Sequence, residues 1–435
     1  MRTITALLPL LPLAALACAG GSRANDPSSG AVASAAACDS TNGGITLARG
    51  FCARVAHDSL GPARHIAVGE NGDVFVAVRN LRQGRGGVVV LRDANGDGAL
   101  EQAGRFGENG GTGIARRGEH LWFATNDAVL RYRVPVGAAE PAGPPDTIVR
   151  DLPSDRSHAA KSIAVTADGA LYVNIGSPSN ACQERDREAG VQGVDPCPEL
   201  ATRAGIWRFD ANRAGQRQAD GERFATGLRN VVALALGPDG RLYGAQHGRD
   251  QLHANWGQMY TEQQSAEQPS EEFVRIEQGD DYGWPYCYHD NALNRKVLAP
   301  EYGGDGRTAG RCTTAKLPLV AFPGHWAPNG MAFYTGAQFP AHYRNGAFIA
   351  FHGSWNRAPL PQAGYKVMFV PMANGRPSGE AEVFADGFSG AATLRSPGDA
   401  EARPMDVAQA PDGGLYIIDS VKGRIWKVLW RGEEN

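Results

Sequence analysis

The chain has 435 residues, among them 56 glycines and 27 prolines, and a formal charge of −3. That near-neutral balance, with no long run of like charges, excludes a nucleic-acid or polyanion surface built on net charge. Glycine and proline are dispersed between apolar runs, which excludes low-complexity disorder and predicts many turns. The length suits one large all-β domain or two or three ordinary ones.

The N-terminus reads as an export signal. Arg2 precedes an apolar stretch over residues 4–17 that is too short to span a membrane, and small residues follow. Residues 1–17 are therefore expected to be a signal peptide. Cys18, followed by Ala-Gly-Gly-Ser, offers a second reading, a lipoprotein signal with a lipid anchor to the membrane at Cys18. Residues 18–40 are rich in Ala, Ser and Gly and are predicted to be a flexible linker. Residues 41–435 are expected to form the folded body. The expected location is outside the cytoplasm, either periplasmic or secreted, or membrane-tethered through that anchor. The remaining six of seven cysteines fall into neighbouring pairs: Cys38 with Cys52, Cys182 with Cys197, Cys287 with Cys312. None has the CxxC spacing of a zinc site, so three disulfides in an oxidising compartment are the simplest expectation.

One phrase then recurs: an apolar pair, a Gly-containing turn, and an aromatic or aliphatic strand. It begins at Ala67 (AVGENGDVFVAV), Ile114, Ala164, Ala235 (ALGPDGRLYGAQHG), His342 and Ala408 (AQAPDGGLYIIDS). Each reads as a β-hairpin, most are followed by a further alternating strand, and long helical patterns are scarce. Six recurrences predict an all-β fold, a six-bladed β-propeller of four-stranded antiparallel blades, with a β-sandwich array as the alternative. The widest gap, roughly residues 250–340, must hold an insertion carrying Cys287 and Cys312. Ligands of such rings sit among the loops at one end of the central channel.

Candidate site residues lie at the predicted strand ends. His158, in SHAAKSIAV, precedes an inner strand and suits a general base. Arg229 and Asn230 stand at the same place in a later hairpin, where a guanidinium fork and an amide can bind carboxylate or carbonyl oxygens. Arg357, in HGSWNR, and Arg403, in ARPMD, occupy similar strand ends. The exit of the Arg229 hairpin reads His247-Gly248-Arg249-Asp250, where backbone carbonyls offer oxygens to calcium. DANGDGALE, from Asp93, has the first oxygens of an EF-hand loop but Gly104 at its twelfth position, so a hairpin turn is the better expectation. GENGGTG at Gly107 lacks a following helix pattern, and there is no GxSxG elbow.

The order SHAAKSIAVTADGALYVNIGS, GLRNVVALALGPDGRLYGAQHGRDQL, DYGWPYCY, FHGSWNR, RPMDVAQAPDGGLYIIDS resembles the soluble pyrroloquinoline-quinone (PQQ) sugar dehydrogenase family. The likeness spans roughly residues 45–432 and is nearest the sorbosone dehydrogenase-like branch. It implies a six-bladed propeller with PQQ and calcium in the channel. Hydride would pass from a sugar to the quinone, and electrons onward to a cytochrome or quinone acceptor. His158 matches the family's catalytic base, Arg229 the arginine at the reacting quinone carbonyl, and Asn230 its PQQ-contacting neighbour. Gly248 and Arg249 match the pair whose carbonyls hold calcium. Arg403 matches an arginine for a PQQ carboxylate, and Arg357 lies near another cationic contact. The chain departs from the glucose dehydrogenases at Ser177, where they have an Asp that orients the His, and at Met405, where they have a second arginine. His325-Trp326 is a candidate aromatic contact. Two other readings stand beside this one: a propeller binding module that has lost PQQ catalysis, and a calcium-dependent propeller lactonase.

Overall fold

Six times the chain turns back on itself in short antiparallel strands, and each set of four forms one sheet. The computed structural model describes residues 38–80 and 85–432, so the expected signal peptide (1–17), Cys18 and linker residues up to 37 lie outside it. Blade 1 is Ala63–Val68, Val74–Val78, Gly87–Arg92 and Glu101–Phe106; blade 2 is Gly111–Arg117, His120–Thr125, Val129–Arg133 and Asp146–Val149. Blade 3 is Ile163–Val165, Ala170–Ile175, Gly205–Asp210 and Glu222–Thr226; blade 4 is Ala233–Leu236, Leu242–Gln246, Glu271–Ile276 and Val320–Phe322. Blade 5 is Pro328–Phe333, Ala347–Phe351, Lys366–Val370 and Glu382–Asp386; blade 6 is Pro404–Gln409, Leu415–Asp419, Ile425–Trp430 and, from the other end of the chain, Phe51–His57. This is the all-β, six-bladed propeller of four-stranded antiparallel blades that the hairpin phrases predict.

Second strands such as Val74–Val78 and Ala347–Phe351 are buried throughout, because neighbouring blades cover both faces of each sheet. Their sequences accordingly run apolar without alternation. Large clusters lie between blades. One joins Phe51, Phe339, Tyr343, Phe348, Phe369, Phe384 and Trp426 between blades 5 and 6. A second joins blades 6 and 1 through Ile418, Ile425, Ile66 and Val76.

The ring closes through the N-terminal segment. Phe51–His57 pairs with Ile425–Trp430, and Thr46–Leu47 adds a fifth strand beside Glu382–Asp386. The Cys38–Cys52 disulfide pins the start of this segment. Cys182–Cys197 and Cys287–Cys312 are also formed, giving the three expected pairs.

Two features depart in detail from the sequence expectation. The phrase at His342 marks the second strand of blade 5, whose inner strand is Pro328–Phe333. The wide gap is two insertions rather than one, because Glu271–Ile276 and Val320–Phe322 complete blade 4 inside it. The first insertion holds the short helices Leu252–Trp256 and Glu262–Glu267; the second holds the ribbon Cys287–Asp290 with Arg295–Leu298.

Phe51 makes edge-on contacts with Phe339, Tyr343, Phe384 and Trp430 at centroid distances of 4.7, 5.0, 4.9 and 4.9 Å. Removing that ring leaves a cavity at the closure. Phe51→Ala is expected to lower the unfolding free energy by about 3–5 kcal/mol in urea titration. A loss below about 1 kcal/mol would show that the closure does not depend on this ring.

Candidate active site

Inner strands begin, and second strands end, at the same face of the ring. Loops between second and third strands are therefore gathered there: residues 176–204 in blade 3, 247–270 in blade 4 and 352–365 in blade 5. The sequence candidates all fall on this face.

His158 stands just ahead of the blade 3 inner strand, with φ at 51°, a left-handed conformation that non-glycine residues seldom adopt. His325 and Ala327 at this face share it, at 65° and 55°. Strained backbone of this kind collects at functional sites. The His158 Nδ1–H donates to the Ser177 carbonyl at 2.7 Å, with Ser177 Oγ at 3.2 Å. A carbonyl only accepts, so Nδ1 carries the hydrogen and Nε2 keeps its lone pair. The departure at Ser177 is thus met by the backbone: its carbonyl orients the imidazole in place of a carboxylate. Burial, reinforced by the Arg229 charge, pulls the His158 pKa down to about 3. Gly176 makes the approach possible, since a Cβ there would lie 2.5 Å from His158 Cβ and 2.9 Å from Asn230 Oδ1.

Arg229 is buried and fully engaged. It donates to the Gly248 carbonyl at 2.7 Å, to Asn180 O at 3.3 Å, to Asn180 Oδ1 at 3.1 Å and to Asp250 Oδ2 at 2.8 Å. Its own carbonyl accepts from Ser177 N at 2.8 Å, which ties it to the group orienting His158. Burial works to raise the Asp250 pKa, but Arg229, His325 and Arg187 outweigh it and hold the carboxyl well below the usual range. Asn230 Oδ1 accepts from Asn174 Nδ2 at 3.2 Å, so its amide nitrogen is the end left for a ligand.

One candidate side chain, Arg357, turns away from the face. The expectation for Arg249 concerns its carbonyl, which the pairing of its side chain leaves untouched, and Met405 is a departure rather than a candidate. Arg249 turns its side chain to a buried ion pair with Glu301. Arg357 turns to Glu267 at 2.6 Å and to the carbonyls of Ala266 and Pro361. Met405 is fully buried, with Asn329 Nδ2 3.5 Å from its sulfur. His325 is buried with Nδ1 3.7 Å from Asp250 Oδ1, whereas Trp326 packs with Phe322 and Phe351 in the core. DANGDGALE is the expected turn: Asp93, Asn95 and Asp97 accept from the backbone of their own loop.

Arg403 remains at the face, donating to the carbonyls of His352 and Gly353. Arg64, which sequence reasoning passed over, joins it. Its Nε donates to Thr112 Oγ1 at 3.3 Å, and burial with the nearby Arg79 and Arg403 charges pulls its pKa down to about 10. Among the described residues no carboxylate forms an ion pair with Arg64 or Arg403. The available signal was positional: Arg64 lies in the inner strand of blade 1, one of the six strands whose ends supplied the other candidates. His65 Nε2 meets Asn329 O at 2.8 Å and His247 Nε2 meets Asn329 Oδ1 at 3.0 Å, so Asn329 of blade 5 joins side chains from blades 1 and 4.

Comparison with known proteins bears on this geometry. A TrAA12-like family model matches residues 45–431. The chain belongs to the TrAA12-like family. It is 30% identical over 166 residues to the pyrroloquinoline quinone-dependent pyranose dehydrogenase of Coprinopsis cinerea, a match covering 33% of this chain and 22% of that protein. It is 28% identical over 284 residues to an uncharacterized protein of Borreliella burgdorferi, covering 64% of this chain and 63% of that one. The matches thus span less than two thirds of these relatives. In fold it is similar to the PQQ-holo pyranose dehydrogenase domain of Coprinopsis cinerea, with TM-score 0.72, 19% identity and 88% and 97% of the two chains covered. It is likewise similar to a calcium structure of Trichoderma reesei AA12, with TM-score 0.71, 19% identity and coverage of 89% and 97%. A PQQ-bound aldose sugar dehydrogenase of Streptomyces coelicolor aligns at TM-score 0.55 and 19% identity, covering 88% and 99%.

Two observations bear on cofactor fit. Arg64 and Arg403, cationic and without carboxylate partners, suit a ligand that brings several carboxylates, as PQQ does. Asn356 Oδ1 is a buried acceptor with no donor, while the same amide's Nδ2 donates to Asp250 Oδ1 at 2.7 Å. The nearby Gly248 carbonyl and Asp250 Oδ2 accept from Arg229, and Asp250 Oδ1 accepts from Asn356, so Asn356 Oδ1 is the oxygen left free for a cation such as calcium.

Arg229→Ala is expected to cost about 3–5 kcal/mol of stability, because it leaves the buried Asp250 short of its main cationic partner. Urea titration of that variant and of Arg229→Ala/Asp250→Ala measures it. A double variant no more stable than the single one would show that the cost is not an unpaired charge.

Proposed function

We propose that this chain is an exported dehydrogenase that oxidises a sugar, an aldose or related aldehyde or alcohol, with PQQ as cofactor and calcium beside it. The observation that carries the reading is a neutral His158, oriented through Nδ1 and open at Nε2, on the same channel face as guanidinium groups without carboxylate partners. Export, to the periplasm or beyond, is supported by three disulfides. Anchoring at Cys18 and a cytochrome or quinone acceptor complete the proposal.

Arg64 and Arg403 would hold the cofactor's carboxylates, with Asn230 donating to its rim. The Gly248 and Arg249 carbonyls, with Asn356 Oδ1, would supply oxygens to calcium. When bound, PQQ supplies a quinone that accepts the substrate's two electrons with hydride. The chain's own part in the reaction is a proton and a fixed charge. His158 Nε2 takes the proton of the sugar hydroxyl, and the Ser177 carbonyl stabilises the imidazolium through Nδ1–H. Arg229, held by its four acceptors, presents a positive charge that cannot relax, which favours negative charge developing on an oxygen next to it.

The binding-module alternative drew its support from the missing Asp at Ser177 and the missing arginine at Met405. The Ser177 carbonyl takes up the first role, while Met405 is buried and leaves the second unfilled. The lactonase alternative needs carboxylates free to hold calcium in the channel, and the buried carboxylates here are engaged within the protein: Asp250 by Arg229 and Asn356, Glu271 by the Gly248 and Ala327 amides, Asp406 by the Ile66 amide.

Titrating the purified protein with PQQ and calcium, then adding aldoses with an artificial electron acceptor, tests the reading. Stoichiometric binding with turnover supports it, and no binding at saturating calcium overturns it. His158→Gln is expected to lower kcat by about 10²–10⁴-fold with PQQ binding retained; loss of both together would make His158 structural. A pKa lowered to about 3 keeps His158 unprotonated on both sides of the ordinary histidine value. The expected profile of log kcat/KM is therefore flat from pH 8 down through 6.5, and an acid limb centred at 6.5 would show that the imidazole is not desolvated in the working enzyme. Chelation is expected to weaken PQQ binding and added calcium to restore it. An undiminished titration in chelator would remove calcium from the reading.

A further inference from the structure

The loop after the second strand of blade 5 passes directly over the site, and its side chains divide sharply. His352 and Gly353 give their carbonyls to Arg403. Ser354 Oγ donates to the His325 carbonyl at 3.1 Å, and Asn356 Nδ2 donates to Asp250 Oδ1 at 2.7 Å. Arg357 is buried against Glu267 and the Ala266 carbonyl. Between these tethers, Trp355 is 54% exposed. Among the described residues the other exposed large apolar side chains are Val136, Leu293, Leu317, Val383 and Val421, so Trp355 is the one aromatic in that set.

We propose that Trp355 is the stacking platform for the sugar ring at the channel mouth. This rests on the dehydrogenase reading and names the residue that would hold its substrate. Single exposed apolar residues are ordinary on protein surfaces; the position of this one sets it apart. Its backbone is fixed on one side to Arg403, in the cation-rich part of the pocket, and on the other to Asp250, the partner of Arg229. Gly353 and Asn356 are three residues apart, a reach of at most about 11 Å, so the indole is rooted within a short distance of both poles. A pyranose has a face of C–H groups and a rim of hydroxyls. The C–H face matches a large, flat, rigid aromatic surface, while the rim needs polar groups at its edge. An indole turned toward solvent meets what enters from the open side. A cofactor held by Arg64 and Arg403 would lie lower in the pocket.

The platform is a positioning and affinity group, and its variants should separate it from the chemistry. In the PQQ-loaded enzyme, Trp355→Ala is expected to raise KM for aldoses about tenfold, with kcat changed less than twofold, and Trp355→Phe to recover most of the loss. PQQ titration and thermal unfolding of both variants should match wild type. Unchanged KM in Trp355→Ala overturns the platform while leaving the dehydrogenase reading intact. Loss of PQQ affinity also overturns it, by assigning the indole to the cofactor. Failure of the PQQ-loaded wild type to oxidise any sugar overturns the dehydrogenase reading, and the platform with it.

Discussion

The Asp250 carboxylate is the contact on which the working face depends. One oxygen accepts from Arg229 at 2.8 Å and Arg187 at 2.9 Å, and the other from Asn356 at 2.7 Å. Those partners come from the start of the blade 4 hairpin, the long loop of blade 3 and the loop of blade 5. A single buried charge thus fastens three loops that the strands alone would leave to find their own positions. Burying a carboxylate is unfavourable by several kcal/mol unless opposite charge and hydrogen bonds meet it. Here Arg229 does so, and in turn it is fixed by Gly248 and Asn180. The loop carrying Asn180 is held by Cys182–Cys197, by Tyr302 Oη on the Ala181 carbonyl and by Trp284 Nε1 on the Asn180 carbonyl. The second insertion of blade 4 is therefore a brace for the ion pair.

Much of this was legible in order but not in orientation. Turn chemistry is local, so Asn-Gly and Asp-Gly between apolar runs marked most of the hairpins, and their recurrence gave the blade count. Strand ends also follow from local pattern, which is why His158, Arg229, Asn230 and Arg403 could be placed at one face from sequence. What a long side chain does at a strand end is decided by partners far away in sequence. Arg249 meets Glu301 across 52 positions and Arg357 meets Glu267 across 90. No local signal distinguishes either from Arg403. Arg64 escaped for the converse reason: what sets it apart is that no carboxylate among the described residues forms an ion pair with it, a property that appears only once the ring is assembled.

The Ser177 substitution shows how a motif can change while its physical task persists. Orienting a histidine base requires an acceptor at Nδ1, and a backbone carbonyl serves as well as a carboxylate for geometry. It differs in charge. A carboxylate would raise the affinity of the imidazole for its proton, whereas the neutral carbonyl leaves burial and Arg229 to dominate. The His158 imidazole is thus held unprotonated more firmly than in a His–Asp pair, and as a base it would be the weaker proton acceptor. In the proposed reaction, part of the driving force for proton removal would then fall to whatever stabilises the electrons leaving the substrate.

Charge is distributed unevenly along the channel. At the Arg229 end each guanidinium has a carboxylate partner: Arg229 and Arg187 share Asp250, Arg249 has Glu301 and Arg357 has Glu267. At the Arg64 and Arg403 end the cations have carbonyl, hydroxyl and aromatic neighbours, with Arg403 lying 5.9 Å from the Tyr365 ring centroid, and no paired carboxylate. Burial and neighbouring like charge disfavour the Arg64 cation, as its lowered pKa registers. An anion entering there would relieve that repulsion. Binding and folding become linked: an anionic ligand present at a hundred times its Kd raises stability by about 2.7 kcal/mol. The compensated end has no such repulsion to relieve, and it can hold its geometry whether or not a ligand is present. That division of labour, one end rigid and the other electrostatically unsatisfied, is what a pocket needs if it must seize an anionic cofactor without disturbing the base that works beside it.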